Sequence, residues 1–228
     1  MKNKLMFIIN IAFISGIFVL NYFYQSNNFD FTLKCICSGS FALLGIINLC
    51  YALRTKQDDK SFFIWMTLGL FLAFLGDVLI GYDFIVGAAT FALGHICFIV
   101  AYCYLERFRK SDIVISMILF AGTLVFLLTC PLLRFEEAVF RAVCVLYGLI
   151  ISVMLGKAAG NFVRNRNTVT ATIFVASVLF FFSDLMLVFD RFIGLWSWTD
   201  NACMATYYPA LCLLALSVFL KTKSKASA

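Results

Sequence analysis

Charge is scarce in this chain. Of its 228 residues only 13% are charged, while 63% are hydrophobic and the mean hydropathy is +0.98. Soluble globular domains carry about 25% charged residues. One soluble core cannot hide so much apolar side chain, so lipid must cover the remainder. Proline is nearly missing, with 2 residues, and the alternating ten-residue segments of a membrane barrel are absent. The long unbroken apolar runs therefore read as helices, which pair every backbone polar group within their own segment. Histidine occurs once. Zinc catalysis takes three protein ligands, commonly including two or more histidines, so this composition argues against a zinc-dependent lipid hydrolase. The Gly-x-Ser-x-Gly pattern of an exposed serine nucleophile is missing too.

Cysteine is plentiful, with 9 residues, but does not form a disulfide scaffold. Cys50, Cys97, Cys103, Cys130, Cys144, Cys203 and Cys212 lie inside apolar runs or near their ends, where cysteine behaves as a small apolar residue. Cys35 and Cys37 form a lone C-x-C with no second cluster to complete a metal site. The letters Cys35-Ile36-Cys37-Ser38-Gly39-Ser40 include nucleophile types, yet packing of helices through small residues explains them as well. No metal and no cofactor is expected.

Apolar stretches long enough for a ~30 Å hydrocarbon layer fall at roughly 5–24, 32–53, 61–81, 84–105, 111–132, 138–160, 168–190 and 200–220. The first follows Lys2 and Lys4 as a signal peptide would. No small-residue cleavage site comes after it, so it is expected to stay as the first span. Short connections leave no room for a soluble domain, and residues 1–228 form a single all-α membrane bundle of eight helices. Lys2, Lys4, Arg54, Lys56, Lys60, Arg107, Arg109, Lys110, Lys157, Arg164, Arg166, Lys221, Lys223 and Lys225 fall on one face, which is 14 of the 18 basic residues. Lys34, Arg134, Arg141 and Arg191 fall on the other. By the positive-inside rule both termini face the cytoplasm. The net charge of +6 is then a topology signal, and nucleic acid is not an expected partner. With no organelle signal, an inner or plasma membrane is expected, or the endoplasmic reticulum of a eukaryote. Oligomeric state is not legible.

Two aspartates stand inside apolar sequence: Asp77 in FLAFLGDVLIGYDFIVG and Asp184 in VLFFFSDLMLVFDRFIG. A carboxylate well inside a span costs roughly 2.5–3.5 kcal/mol on insertion scales and is seldom carried without a use. An offset of 107 residues superimposes Asp77 on Asp184, Asp83 on Asp190 and Gly87 on Gly194. This reads as two parallel four-helix repeats, each keeping one acid, although helices with an acidic end can also match by chance. Counted from the expected span ends, both carboxylates sit some 6–9 Å beneath the less basic face at ~1.5 Å per residue. Lys34 begins the second span on that face. His95 and Tyr147 are mid-depth, and Tyr207 and Tyr208 precede Pro209 in the last span. Each has a structural alternative: an acid near water, a core histidine, belt tyrosines or a snorkelling lysine.

Gly76-Asp77, Phe91-Ala-Leu-Gly-His95, Phe182-Ser-Asp184 and Thr206-Tyr207-Tyr208, in this order and spacing, resemble the YhhN-type lysoplasmalogenase family of eight-span membrane proteins. The resemblance runs from about Lys34 to Ser217. It implies hydrolysis of the vinyl-ether bond of a lysoplasmalogen, giving a fatty aldehyde and glycerophosphocholine or glycerophosphoethanolamine. The family motif carries over to Lys34, Asp77, His95, Asp184, Tyr207 and Tyr208. Cys35, Phe98 and Leu211 stand where the family often has proline, tyrosine and glutamine.

A vinyl ether resists base and yields to acid. Its slow step is proton delivery to the alkene carbon distant from oxygen, which leaves an oxocarbenium ion that water captures. Glycosidases meet a similar cation with two carboxyl groups. Burial raises a carboxyl pKa and a nearby cation lowers it, so two aspartates in different surroundings can divide the roles of acid and partner. The expectation is that Asp77 and Asp184 share this work, with His95 orienting water or tuning an aspartate. Lys34 and Arg191 would meet the lipid phosphate, and Tyr207, Tyr208 and Tyr147 would line the substrate. The alternative is a proton- or ion-coupled transporter, since intramembrane carboxylates and repeats also suit alternating access.

Overall fold

The computed structural model describes residues 2–27, 30–55, 59–194 and 198–225; Lys56, counted above with the basic face, lies outside them. Its eight helices are α1 (Lys2–Ser26), α2 (Phe31–Arg54), α3 (Lys60–Leu79), α4 (Phe84–Leu105), α5 (Lys110–Thr129), α6 (Ala138–Arg164), α7 (Thr168–Phe192) and α8 (Thr199–Lys225). All eight are long and apolar enough to cross a membrane, and the described residues hold no strand. The chain is a multi-pass membrane protein. Successive helices run in opposite directions, so both termini lie on one face; the other is called the far face here.

Local chemistry sets the helix ends. Asp30 and Asp83 accept from Leu33 N and Val86 N, both at 2.9 Å, and cap α2 and α4. Asn167 caps α7 through Thr170 N at 3.0 Å. Each satisfies an orphan amide of its first turn. α5 stops at Thr129, short of the expected 132, because Pro131 disfavours helical backbone at Cys130, whose ψ is 113°. α3 stops at Leu79, where the α3–α4 turn is tight. A Cβ on Gly87 would lie 2.5 Å from Ile80 Cα, so only glycine lets α4 leave along that path.

The closest-packed pairs are α3 with α4 and α7 with α8, which correspond under the 107-residue offset. The packing of α2 on α8 likewise corresponds to that of α6 on α4. α1 buries Met6, Asn10, Ile17, Asn21 and Tyr24, one stripe at helical spacing. Asn10 and Asn48 exchange side-chain hydrogen bonds of 2.9 and 2.8 Å, and Asn48 also donates to Ala215 O at 2.9 Å. This amide pair ties α1 and α2 to α8.

α5 packs its backbone closely against α6 only and reaches α7 through Phe126 on Phe189 at 5.4 Å. Gly156 and Gly160 of α6 face Ser116 and Asp112, and a Cβ at either glycine would collide with the facing side chain. This small-residue spacing lets helix backbones approach closely in lipid. At the terminal-face end the join is ionic. Lys157 Nζ lies 3.0 Å from Asp112 Oδ2, and both side chains are 0% exposed. Lys157 also donates to Arg107 O at 3.0 Å and Asn161 Oδ1 at 2.9 Å, while Arg164 clasps the same carboxylate. Removing one partner of such a pair costs about 3–5 kcal/mol, whereas replacing both with apolar groups is often neutral. Asp112→Ala is therefore expected to lower the melting temperature of the purified protein sharply, and D112L combined with K157M to recover most of the loss. Unchanged melting of D112A would show that the pair does not hold α5.

Candidate active site

Asp77 is held by α2 and α8. Lys34 and Ser38 are one turn apart on α2, so both side chains reach the same point on α3. The Lys34 ammonium lies 3.5 Å from Asp77 Oδ1, and Ser38 Oγ donates a short hydrogen bond to Oδ2. Tyr208 OH is 3.4 Å from Ser38 Oγ. Tyr207 OH lies 3.5 Å from Ala73 O, one turn before Asp77 on α3, and its ring packs edge-on to Tyr208 at 5.1 Å. Asp77 is 3% exposed. A carboxylate in lipid needs such partners, and here a cation and a hydroxyl supply them.

Asp184 has a different set. Tyr147 OH of α6 donates to Asp184 Oδ2 at 2.8 Å and receives His95 Nε2 of α4 at 2.7 Å. His95 Nε2 is also 3.4 Å from Asp184 Oδ2. Because the tyrosine hydrogen goes to the carboxylate, this geometry assigns the histidine hydrogen to Nε2. Nδ1 then has no protein partner, although His95 is 1% exposed. The imidazole is held edge-on to Phe180, with centroids 4.6 Å apart.

A cavity of about 410 Å³ opens beside Asp184, among the far-face halves of α4, α5, α6 and α7. Its lining is apolar except for Cys144, Thr123, Tyr147 and Asp184. Asp184 keeps 13% exposure there. Asp77, Lys34, His95, Tyr207 and Tyr208 are not in the lining. Phe91 forms part of the cavity wall and meets Tyr207 edge-to-face at 6.1 Å, with Phe180 on Tyr207 at 5.4 Å. An aromatic partition therefore separates the two carboxylates.

A family model, that of the YhhN family, matches residues 38–218. The chain belongs to the YhhN family. No curated protein and no solved structure matches it.

In this YhhN protein the residues singled out in sequence fall into two groups. Lys34, Asp77, Tyr207 and Tyr208 make one; His95, Tyr147 and Asp184 make the other. The acids lie at unequal distances from their helix ends, Asp77 two residues before the end of α3 and Asp184 eight before the end of α7. Arg191 is not beside either carboxylate; it is exposed, with its guanidinium 5.8 Å from the Phe84 ring centroid. Among the described residues no three His, Cys, Asp or Glu side chains converge as a metal cage would require.

Sequence reasoning passed over Ser38 as a partner of Asp77, although its place one turn after Lys34 was the available signal. It also counted Lys157 only as a topology marker. That lysine sits within an apolar, glycine-rich run, LGKAAG, which is where a buried cation with a partner belongs.

The cavity makes Asp184 the carboxyl group open to a lipid-soluble reagent. Dicyclohexylcarbodiimide, which captures protonated carboxyl groups in apolar surroundings, is expected to modify Asp184 in the folded protein and to leave Asp77 unmodified, read by peptide mass spectrometry. Labelling of Asp77 alone would contradict the partition.

Proposed function

We propose that this protein hydrolyses the vinyl-ether bond of a lysoplasmalogen, with Asp184 as the proton donor. The observation that carries the reading is a carboxyl group, held by a tyrosine and a histidine, at the wall of an otherwise apolar cavity. The volume, about 410 Å³, lies within the roughly 300–1,000 Å³ usual for small-molecule sites and suits one hydrocarbon chain. The reaction needs an acid beside an alkene that is itself buried among apolar groups.

The π electrons of the alkenyl group take the Asp184 proton at the carbon distant from oxygen, and the ether oxygen shares a lone pair to give the oxocarbenium ion. The aspartate left behind is the anion that stabilises this cation, in surroundings where charges interact strongly. Water adds to the cationic carbon and its proton returns to Asp184. The resulting hemiacetal loses the glyceryl oxygen, with a proton passed from its hydroxyl to the leaving oxygen, giving aldehyde and alcohol. Tyr147 and His95 are placed to carry that proton, since they form a continuous chain with the carboxylate. Asp77 lies behind Phe91 and Tyr207, so its part is to hold Lys34 and Ser38, and through Ser38 the Tyr207–Tyr208 pair of the partition; it acts as a positioning residue.

Aldehyde release from a lysoplasmalogen by detergent-purified protein tests this. A general acid contributes typically 10²–10⁴-fold, so D184N is expected to lose on that order in kcat. Tyr147→Phe, which removes a hydrogen bond to a charged group, should lose about 10-fold or more. D77N should retain more turnover than D184N. Full activity in D184N would remove the acid from the account, and no release by folded wild-type protein from any lysoplasmalogen headgroup would turn the reading to proton- or ion-coupled transport.

A further inference from the structure

The far-face end of the cavity is closed by an aromatic cluster. Phe84, Phe135, Phe140 and Phe192 meet with ring centroids 4.7–6.1 Å apart. Phe84 also belongs to the cavity lining, as do Phe126, Leu127, Cys144 and Val188 of the same apolar cluster. Two guanidinium groups rest on these rings: Arg191 on Phe84 at 5.8 Å and Arg141 on Phe135 at 5.3 Å. Arg134 Nα donates to Phe192 O at 3.0 Å and pins the intervening loop to the end of α7.

Arg141 and Arg191 stand beside the closed end of the cavity with no acid among the described residues engaging them. Lys34, Arg109, Lys157, Arg164 and Lys221 each pair with a carboxylate of this chain. Among the described residues Arg141 and Arg191 pair with none, and both are exposed. Nearby acids do not answer them. Asp190 accepts from Thr199 at 3.2 Å and interacts with Asp200, while the exposed Glu136 and Glu137 make no ion pair with either arginine. Two cations are thus held in place by aromatic faces with their hydrogen-bond donors left for something else.

We propose that Arg141 and Arg191 form a phosphate subsite, gripping the phosphate of a single-chain lipid whose tail fills the cavity. This rests on the lysophospholipid reading of the cavity. The planar guanidinium fork suits a phosphate diester or monoester. The spacing fits as well. Arg191 follows Asp184 by seven residues, two helical turns on one face and roughly 10 Å along the axis, a span that a glycerophosphate bridges when its vinyl ether is at Asp184. Lys34, engaged by Asp77, is left to the other side of the partition. The same 107-residue offset takes Lys34 to Arg141: in one half the cation turns inward to an acid, and in the other it lies on a ring and faces out.

The test is binding, not turnover, so its failure is distinguishable from failure of the vinyl-ether chemistry. A saturated 1-O-alkyl lysophospholipid and the matching 1-O-alkyl glycerol, which lacks phosphate, are titrated onto full-length wild-type protein, R141Q, R191Q and the double variant. Expected is a loss of about 10-fold in phospholipid affinity per arginine, as for a charge-assisted hydrogen bond. Alkyl glycerol affinity should stay unchanged, which also certifies an intact cavity. Inorganic phosphate distinguishes the source of the group. Failure to compete at millimolar concentration assigns the site to lipid-borne phosphate; competition in wild type that is lost in the double variant assigns it to phosphate with or without a tail. Equal loss for both ligands, or no loss for the phospholipid, overturns the proposal.

Discussion

A charged group inside an apolar bundle has to meet its partners inside that bundle, because lipid supplies neither water nor counter-ion. Three carboxylates impose this condition here. Asp112 draws Lys157 and Arg164 to it and joins α5 to α6. Asp77 draws Lys34 and Ser38 from α2, and through Ser38 it meets Tyr208 of α8. Asp184 draws Tyr147 from α6, and through it His95 from α4. Every helix but α1 is tied by at least one of these knots, and α1 has the Asn10–Asn48 pair instead.

The knots differ in what they leave open. Asp77 has a cation and hydroxyl groups around it and is closed off. Asp184 has a neutral hydrogen-bonded chain on one side and an apolar cavity on the other. A carboxyl group of the second kind can carry a proton to a buried alkene, whereas one already matched to an ammonium has less reason to. The space for that chemistry depends on α5. Anchored by its ion pair at the terminal face and packed chiefly on α6, with Phe126 meeting Phe189 of α7 at 5.4 Å, it leaves a chain-sized space toward α4 and α7.

Much of this was legible in the sequence. The eight spans follow from long apolar runs, and the site residues from the rarity of polar side chains within them. The seven intramembrane residues expected in one shared site fall instead into two groups with an aromatic partition between them. What could not be read was which faces point inward, because helices apolar all round carry no stripe to orient them. That is why the partition between Asp77 and Asp184, the cavity and the inward turn of Lys34 emerge only in three dimensions. The two acids also stand at different distances from their helix ends, since α3 ends at Leu79 in a tight turn while α7 continues to Phe192. Lys157 illustrates a further limit: a basic residue near a span end reads as a topology marker until its partner, 45 residues away, is seen.

The central claim is that a proton goes first to carbon and water follows. Hydrolysis of a lysoplasmalogen in water enriched in oxygen-18 tests it most directly, with the products analysed before the aldehyde exchanges its oxygen. The account predicts the heavy oxygen in the aldehyde and none in the glycerophospho product, because water adds to the cationic alkenyl carbon. Heavy oxygen in the glycerophospho product would place the cleavage at the glyceryl carbon and contradict proton delivery by Asp184.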